Sequence, residues 1–210
     1  MNNSLPAYLE LIGLFILLPV SFLWSYPIYI KMVLVIIGLL YIIIRLKRAG
    51  AIHFDKTVLN QNAPFWKRLG IQLLLLIIIT TVYVYIEAPD KLFSVPLKKP
   101  GLWLVILAVY TFLSVWPQEV IYRTYFFKRF EVIFKNKWVL ILVNGLLFSL
   151  AHIFFKNVLV LVLTFIGGIL FAYTYFTTRS TLLVSIEHAI YGNWLFTVGM
   201  GEMLAFPGAE

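Results

Sequence analysis

LWLVILAVYTFLSVWPQEVIYR, residues 102–123, is an apolar run that closes on a carboxylate, Glu119, and a guanidinium, Arg123. About 20 apolar residues cross a bilayer as a helix. This stretch therefore reads as a membrane span with two charges at or near its end. Ionisable side chains at that depth are costly, and they face a bundle interior or a water-filled cavity. The same length criterion applied outward in both directions gives seven spans, near 9–30, 32–46, 69–87, 102–120, 138–155, 157–178 and 181–200. The second is short, so a tilted or partly re-entrant path is expected. The stretch 121–135, IYRTYFFKRFEVIFK, is amphipathic; it either continues the fourth span or lies in the membrane interface. The expected fold is all-α: a polytopic membrane helical bundle of about seven to eight transmembrane helices with a polar cavity, forming one integral membrane domain over residues 1–210.

Composition agrees. Of 210 residues, 62% are hydrophobic and 12% charged, with mean hydropathy +0.95. Soluble domains are about 45–50% apolar. The net charge of +8 does not point to nucleic acid. The basic residues stand between the apolar runs, where the positive-inside rule puts them. Segments 45–68 and 121–137 together with Arg179 hold twelve Lys and Arg, and the opposite loops hold five. That bias places the N-terminus in the cytoplasm of a multi-pass cell-membrane protein. There is no cysteine, which excludes disulfides, thiolate catalysis and Cys-ligated metal. Residues 1–8 lack a basic segment, so no cleavable signal peptide is expected. Pro89–Pro100 reads as an ordered external turn region, and His53 as a solvated loop residue.

Three polar motifs interrupt the apolar runs. In WPQEVIYR, residues 116–123, Glu119 and Arg123 are four apart and share a helical face, with Tyr122 on the same side. Pro117 can kink or restart the helix. Glu119 suits a general base that activates water; an ordinary ion pair at a helix end fits the same spacing. In NGLLFSLAH, residues 144–152, Asn144, Phe148 and His152 form one stripe, with Gly145 and Ser149 beside it, and such a stripe faces other helices or water. His152 can bind metal, polarise a carbonyl or act as an interhelical hydrogen-bonding residue. In SIEHAIYGNW, residues 185–194, Glu187 and His188 are adjacent and so point about 100° apart on a regular helix. His188 and Asn193 are five apart and off one face, unless a bulge at Gly192 brings Asn193 round.

The order QEVIYR, FSLAH, HAIYGN resembles the CPBP (CAAX protease and bacteriocin-processing, or Abi) family of intramembrane endopeptidases, whose pattern is EExxxR, FxxxH, HxxxN/D on successive membrane helices. The resemblance covers roughly residues 102–200. It implies a helical membrane protein whose polar residues converge in a cavity open to the cytosol. Eukaryotic CAAX prenyl proteases of this family remove a C-terminal tripeptide from prenylated proteins, and prokaryotic members have been linked to bacteriocin processing and self-immunity. Carried onto this chain, the pattern implies a catalytic set of Glu119, Arg123, His152, His188 and Asn193, with Gln118, Tyr122 and Phe148 beside the substrate. Two departures stand out. Gln118 occupies the place of the leading glutamate, which usually activates water, and a glutamine amide cannot take that proton. His188 and Asn193 are one residue further apart than in the family pattern.

The expected activity is hydrolysis of a peptide bond in a membrane-associated or prenylated protein. No cofactor is expected; the alternative is zinc at Glu119, His152 and His188, which leaves one position for water. HExxH is absent, and the only aspartates, Asp55 and Asp90, lie in loops, which argues against aspartyl chemistry. Two other classes remain open: a catalytically inactive immunity or scaffold protein of the same fold, which Gln118 motivates, and a small transporter, which the absence of internal repeats disfavours. The expected partners are a membrane protein or peptide substrate and the lipid bilayer.

Overall fold

The computed structural model describes residues 4–51, 57–60 and 62–201. Among them the chain is helical, with no strand. Eight helices follow in order: α1 (residues 4–21), α2 (Ile28–Arg48), α3 (Ala63–Glu87), the short α4 (Ser94–Lys98), α5 (Pro100–Phe130), α6 (Lys137–Leu150), α7 (Val158–Thr178) and α8 (Thr181–Val198). The seven expected spans correspond one to one with these helices, α4 excepted. By length and composition α2, α3, α5, α7 and the stretch Lys137–Phe155 are long and apolar enough to cross a membrane. α1 is shorter, and α8 carries Glu187 and His188. His53 and Lys56 lie outside the described residues.

Helix boundaries follow local chemistry. The break between the first two helices falls at residues 22–27, not near residue 31. Pro27, with ψ 143°, sits at the N-cap of α2, where a missing N–H costs nothing. The second span is therefore a full helix of 21 residues, about 31 Å long at 1.5 Å per residue, and needs no re-entrant path. Asn136 and Asn157 start α6 and α7, each accepting two backbone N–H bonds on its side-chain oxygen. α7 ends on Arg179 in the left-handed region. The amphipathic stretch continues the fourth span as far as Phe130, so α5 runs for 31 residues. The loop after α3 is ordered by a turn of 3₁₀ helix, Pro89–Lys91, and by α4.

α5 is not a uniform α-helix. Two π-helical turns, Tyr110–Val115 and Val120–Tyr125, flank the short α-helical piece Trp116–Glu119 that holds Pro117. Irregular turns of this kind gather at functional positions. α8 is α-helical throughout Thr181–Val198, so Gly192 introduces no bulge that would bring Asn193 onto the face of His188.

The chain divides into two compact units, Met1–Phe54 with Gln118–Thr181, and Asp55–Pro117 with Leu182–Glu210. In the first, α6 and α7 pack at glycine contact. A β-carbon on Gly168 would lie 2.9 Å from the α-carbon of Gly145, the close approach that small residues permit in membrane helices. Phe15, Phe126 and Phe130 form a fully buried aromatic cluster in edge-to-face contact. In the second, Val95, Ile106 and Phe196 make a core bordered by Trp103 and Tyr110.

Candidate active site

In the first unit the site is built around Arg123. Its side chain and that of Glu119 are fully buried, and Arg123 Nε stands 3.2 Å from Glu119 Oε2 one helical turn away. Arg123 Nη2 donates to the carbonyl of Gly168 at 3.5 Å. The guanidinium lies over the rings of Phe148, 4.5 Å from its centroid, and Phe171, 5.5 Å away, a cation–π enclosure strengthened by the complete burial of Arg123. The charge is thus offset by one carboxylate and two ring faces. Removing either partner of such a buried pair costs about 3–5 kcal/mol.

The π turn beneath Arg123 has its own support. The N–H of Phe126 donates to the carbonyls of Arg123 and Ile121. It passes over the carbonyl of Tyr122, its usual α-helical acceptor. That carbonyl receives Asn144 Nδ2 at 2.6 Å, and Asn144 is fully buried. An unmatched backbone carbonyl at this depth is destabilising, and Asn144 removes the problem. Tyr122 sits edge-on to both Phe15 and Phe148.

His152 lies just past the end of α6, in the turn before Ile153–Phe155, and not on the helix the sequence spacing suggested. Its Nδ1 lies 2.8 Å from the carbonyl of Phe148. A carbonyl only accepts, so Nδ1 carries the proton and Nε2 is the bare nitrogen of the neutral ring. The ring also meets Phe148 edge-on and stacks on Phe155. Gln118 is half-buried at the start of this unit.

The second unit carries the remaining motif. His188 is buried and meets the ring of Tyr110 edge-on at 5.9 Å. Asn193 Nδ2 donates to Thr111 Oγ1 at 3.0 Å. Both partners belong to the first π turn of α5, so each π turn of that helix is touched by an asparagine of its own unit. Glu187 points elsewhere, as its angular separation from His188 requires. It is fully buried near Tyr191, whose hydroxyl lies 3.4 Å from Glu187 Oε1 and donates to Gln72 Oε1 at 2.9 Å on α3.

Glu119, Arg123 and Phe148 are thus in one contact group, with His152 against Phe148; His188 and Asn193 share the Tyr110–Thr111 step. Tyr110, Thr111, Gly168 and Phe171 lie in apolar runs with no motif around them and escaped the sequence reading, although paired glycines at 167–168 signal close helix packing.

Among the described residues no group of three or more His, Asp or Glu side chains is gathered to hold a metal ion. The guanidinium of Arg123 stands beside the Glu119 carboxylate.

Residues 100–194 match the sequence profile of the family described as type II CAAX prenyl endopeptidase, Rce1-like. The matched stretch contains all three polar motifs. No curated protein and no solved structure matches the chain.

Proposed function

We propose that this chain, which belongs through residues 100–194 to the CAAX protease (CPBP) family, hydrolyses a peptide bond of a membrane-associated or prenylated protein with a water activated by Glu119. The observation that carries the reading is the fully buried Glu119–Arg123 pair at 3.2 Å on an irregular stretch of a membrane helix. A charge pair kept at that depth is a functional mark by default.

In this reading Glu119 takes a proton from water while the oxygen attacks the scissile carbonyl carbon. The proton then passes to the leaving amine. Arg123 positions the carboxylate. His152 and His188 stabilise the oxyanion of the tetrahedral intermediate, with Asn193 supporting His188. Because His152 Nδ1 is engaged by the Phe148 carbonyl, its Nε2 donates to an oxyanion only as imidazolium. Gln118, Tyr122 and Phe148 border the substrate. No metal is required. The N-terminus is cytoplasmic in a multi-pass cell-membrane protein.

A second reading has a specific motive. Gln118 stands where the family's leading glutamate stands, and Glu119 is fully buried against Arg123, as a purely structural carboxylate would be. The chain would then be an inactive immunity or scaffold protein.

Proteolysis in liposomes separates the two, with prenylated and unprenylated membrane peptides offered to wild type, Glu119→Gln and Gln118→Glu. Cleavage by wild type that is lost in Glu119→Gln supports the enzyme. Cleavage only by Gln118→Glu supports the disarmed form.

A further inference from the structure

The ends of α2 and α5 meet in the first unit around a concavity of about 320 Å³. It is lined by Arg45, Arg48, Lys128 and Arg129, with Tyr125, Leu46 and Ala49 completing the wall. Four of the basic residues that set the charge bias of the sequence, two from each segment, therefore line one pocket.

One carboxylate organises this pocket. Glu10 of α1 accepts from Tyr41 Oη at 2.9 Å, from Tyr125 Oη at 2.7 Å and from Arg129 Nε, and it stands 3.6 Å from Arg45 Nη2. It orients two of the four cations and neutralises one charge. Arg48 and Lys128 are exposed, and among the described residues no carboxylate pairs with them. The pocket keeps a surplus of positive charge in a fixed arrangement.

Its position selects the ligand. The pocket opens at the end of a membrane-spanning helix. Just inside it, the outer face of α2 exposes Ile37, Leu40 and Ile44. A phosphate at the pocket would have its acyl chains along that apolar face. We propose that this pocket binds the phosphate headgroup of an anionic phospholipid, held by Arg48 and Lys128 with Arg45 and Arg129 behind them. Basic pockets at helix ends on one membrane face are suited to such headgroups, and guanidinium groups match phosphate geometry. The site is independent of the peptidase reading, since it uses none of the residues assigned to catalysis.

The test is native mass spectrometry of the full chain in detergent, with phosphatidylglycerol or phosphatidylcholine of equal chain length. Phosphatidylglycerol is expected to bind at least about tenfold tighter, and Arg48→Gln and Lys128→Gln each to weaken it about fivefold, without changing phosphatidylcholine, at roughly 1 kcal/mol per basic residue. Arg48→Lys and Lys128→Arg should retain binding. Raising ionic strength from about 0.05 to 0.5 M should weaken phosphatidylglycerol binding to wild type, a readout that needs no variant. Equal affinity for the two lipids, salt-insensitive binding, or Gln variants that fold and bind as wild type would overturn the proposal. So would complete displacement of the lipid by millimolar inorganic phosphate, which would make this a free-phosphate site.

Discussion

The phenol of Tyr110 occupies the space that a β-carbon on Gly192 would need. The glycine in the HAIYGN motif therefore makes room for a ring rather than bending its own helix. That ring in turn touches His188 and Phe196 edge-on. Gly192→Ala should displace Tyr110 from both and destabilise the protein by about 1–3 kcal/mol, the usual cost of overpacking. Tyr110→Ala in the same chain should recover much of the loss. A thermal-denaturation cycle in detergent measures the coupling; strictly additive effects of the two substitutions would show that the ring and the glycine do not compete for space.

Asn144 illustrates a second kind of support, that of an irregular backbone. Its amide serves the Tyr122 carbonyl that the π turn leaves without its α-helical donor. Asn144→Leu should cost about 1–3 kcal/mol, since it leaves a buried acceptor unmatched. It should also lower peptidase activity, because the turn that fails carries Arg123. Comparing Tm with single-turnover cleavage checks both. A variant with lower Tm and unchanged cleavage would mean that the π turn does not matter to the site.

These two cases mark how far the sequence could be read. The spans were legible because apolar length is a local property, and the Asn144–Phe148 spacing was legible because helical periodicity is; His152 lies past the end of α6 and reaches the stripe through the carbonyl and ring of Phe148, not as a further helical position. The start of α2 at Pro27 was readable from proline chemistry yet was placed a few residues late, because the apolar residues on both sides of it hide the break. The π turns of α5 were not legible. Nothing in YTFLSV or VIYRTY differs from ordinary helix, and the turns are held by asparagines 22 and 82 residues distant. Glu10 was silent for the same reason: its partners Tyr125 and Arg129 are over a hundred residues away.

Gly145 and Gly168 face each other but should respond differently. A β-carbon on Gly168 meets the backbone of Gly145, at 2.9 Å from its α-carbon and 3.1 Å from its oxygen. One on Gly145 meets first the side chain of Ile169, at 2.8 Å, and backbone only further out, at 3.2 Å from the nitrogen of Ile169. Backbone cannot rotate away, whereas an isoleucine arm can. Gly168→Ala should therefore lower Tm more than Gly145→Ala, and it should shift the carbonyl that receives Arg123 Nη2. Gly168→Ala should accordingly lose more cleavage as well. The reverse order of Tm values would contradict this packing.

The tautomer of His152 is a direct spectroscopic expectation. With the Phe148 carbonyl at 2.8 Å from Nδ1, the neutral ring should show a protonated Nδ1 and a bare Nε2. Nitrogen NMR of histidine-labelled protein resolves this, with His152→Gln identifying the signal among three histidines. A proton found on Nε2 would rule out the hydrogen bond and release His152 to donate from the neutral ring.

The buried ion pair gives the sharpest separation of structure from chemistry. Arg123→Met should destabilise the protein by about 3–5 kcal/mol, because it strands the Glu119 carboxylate away from water. Glu119→Gln should destabilise for the mirror reason, though Phe148 and Phe171 continue to face the guanidinium and should soften the loss. The double variant Glu119→Gln/Arg123→Met leaves no charge behind. It should recover most of the stability, since replacing a whole buried pair by neutral groups of similar volume is often close to neutral. Cleavage should not recover with it if Glu119 activates water. Tm and single-turnover cleavage of the three variants therefore move apart for a catalytic pair and together for a structural one. A double variant that is both stable and fully active would remove Glu119 from the reaction.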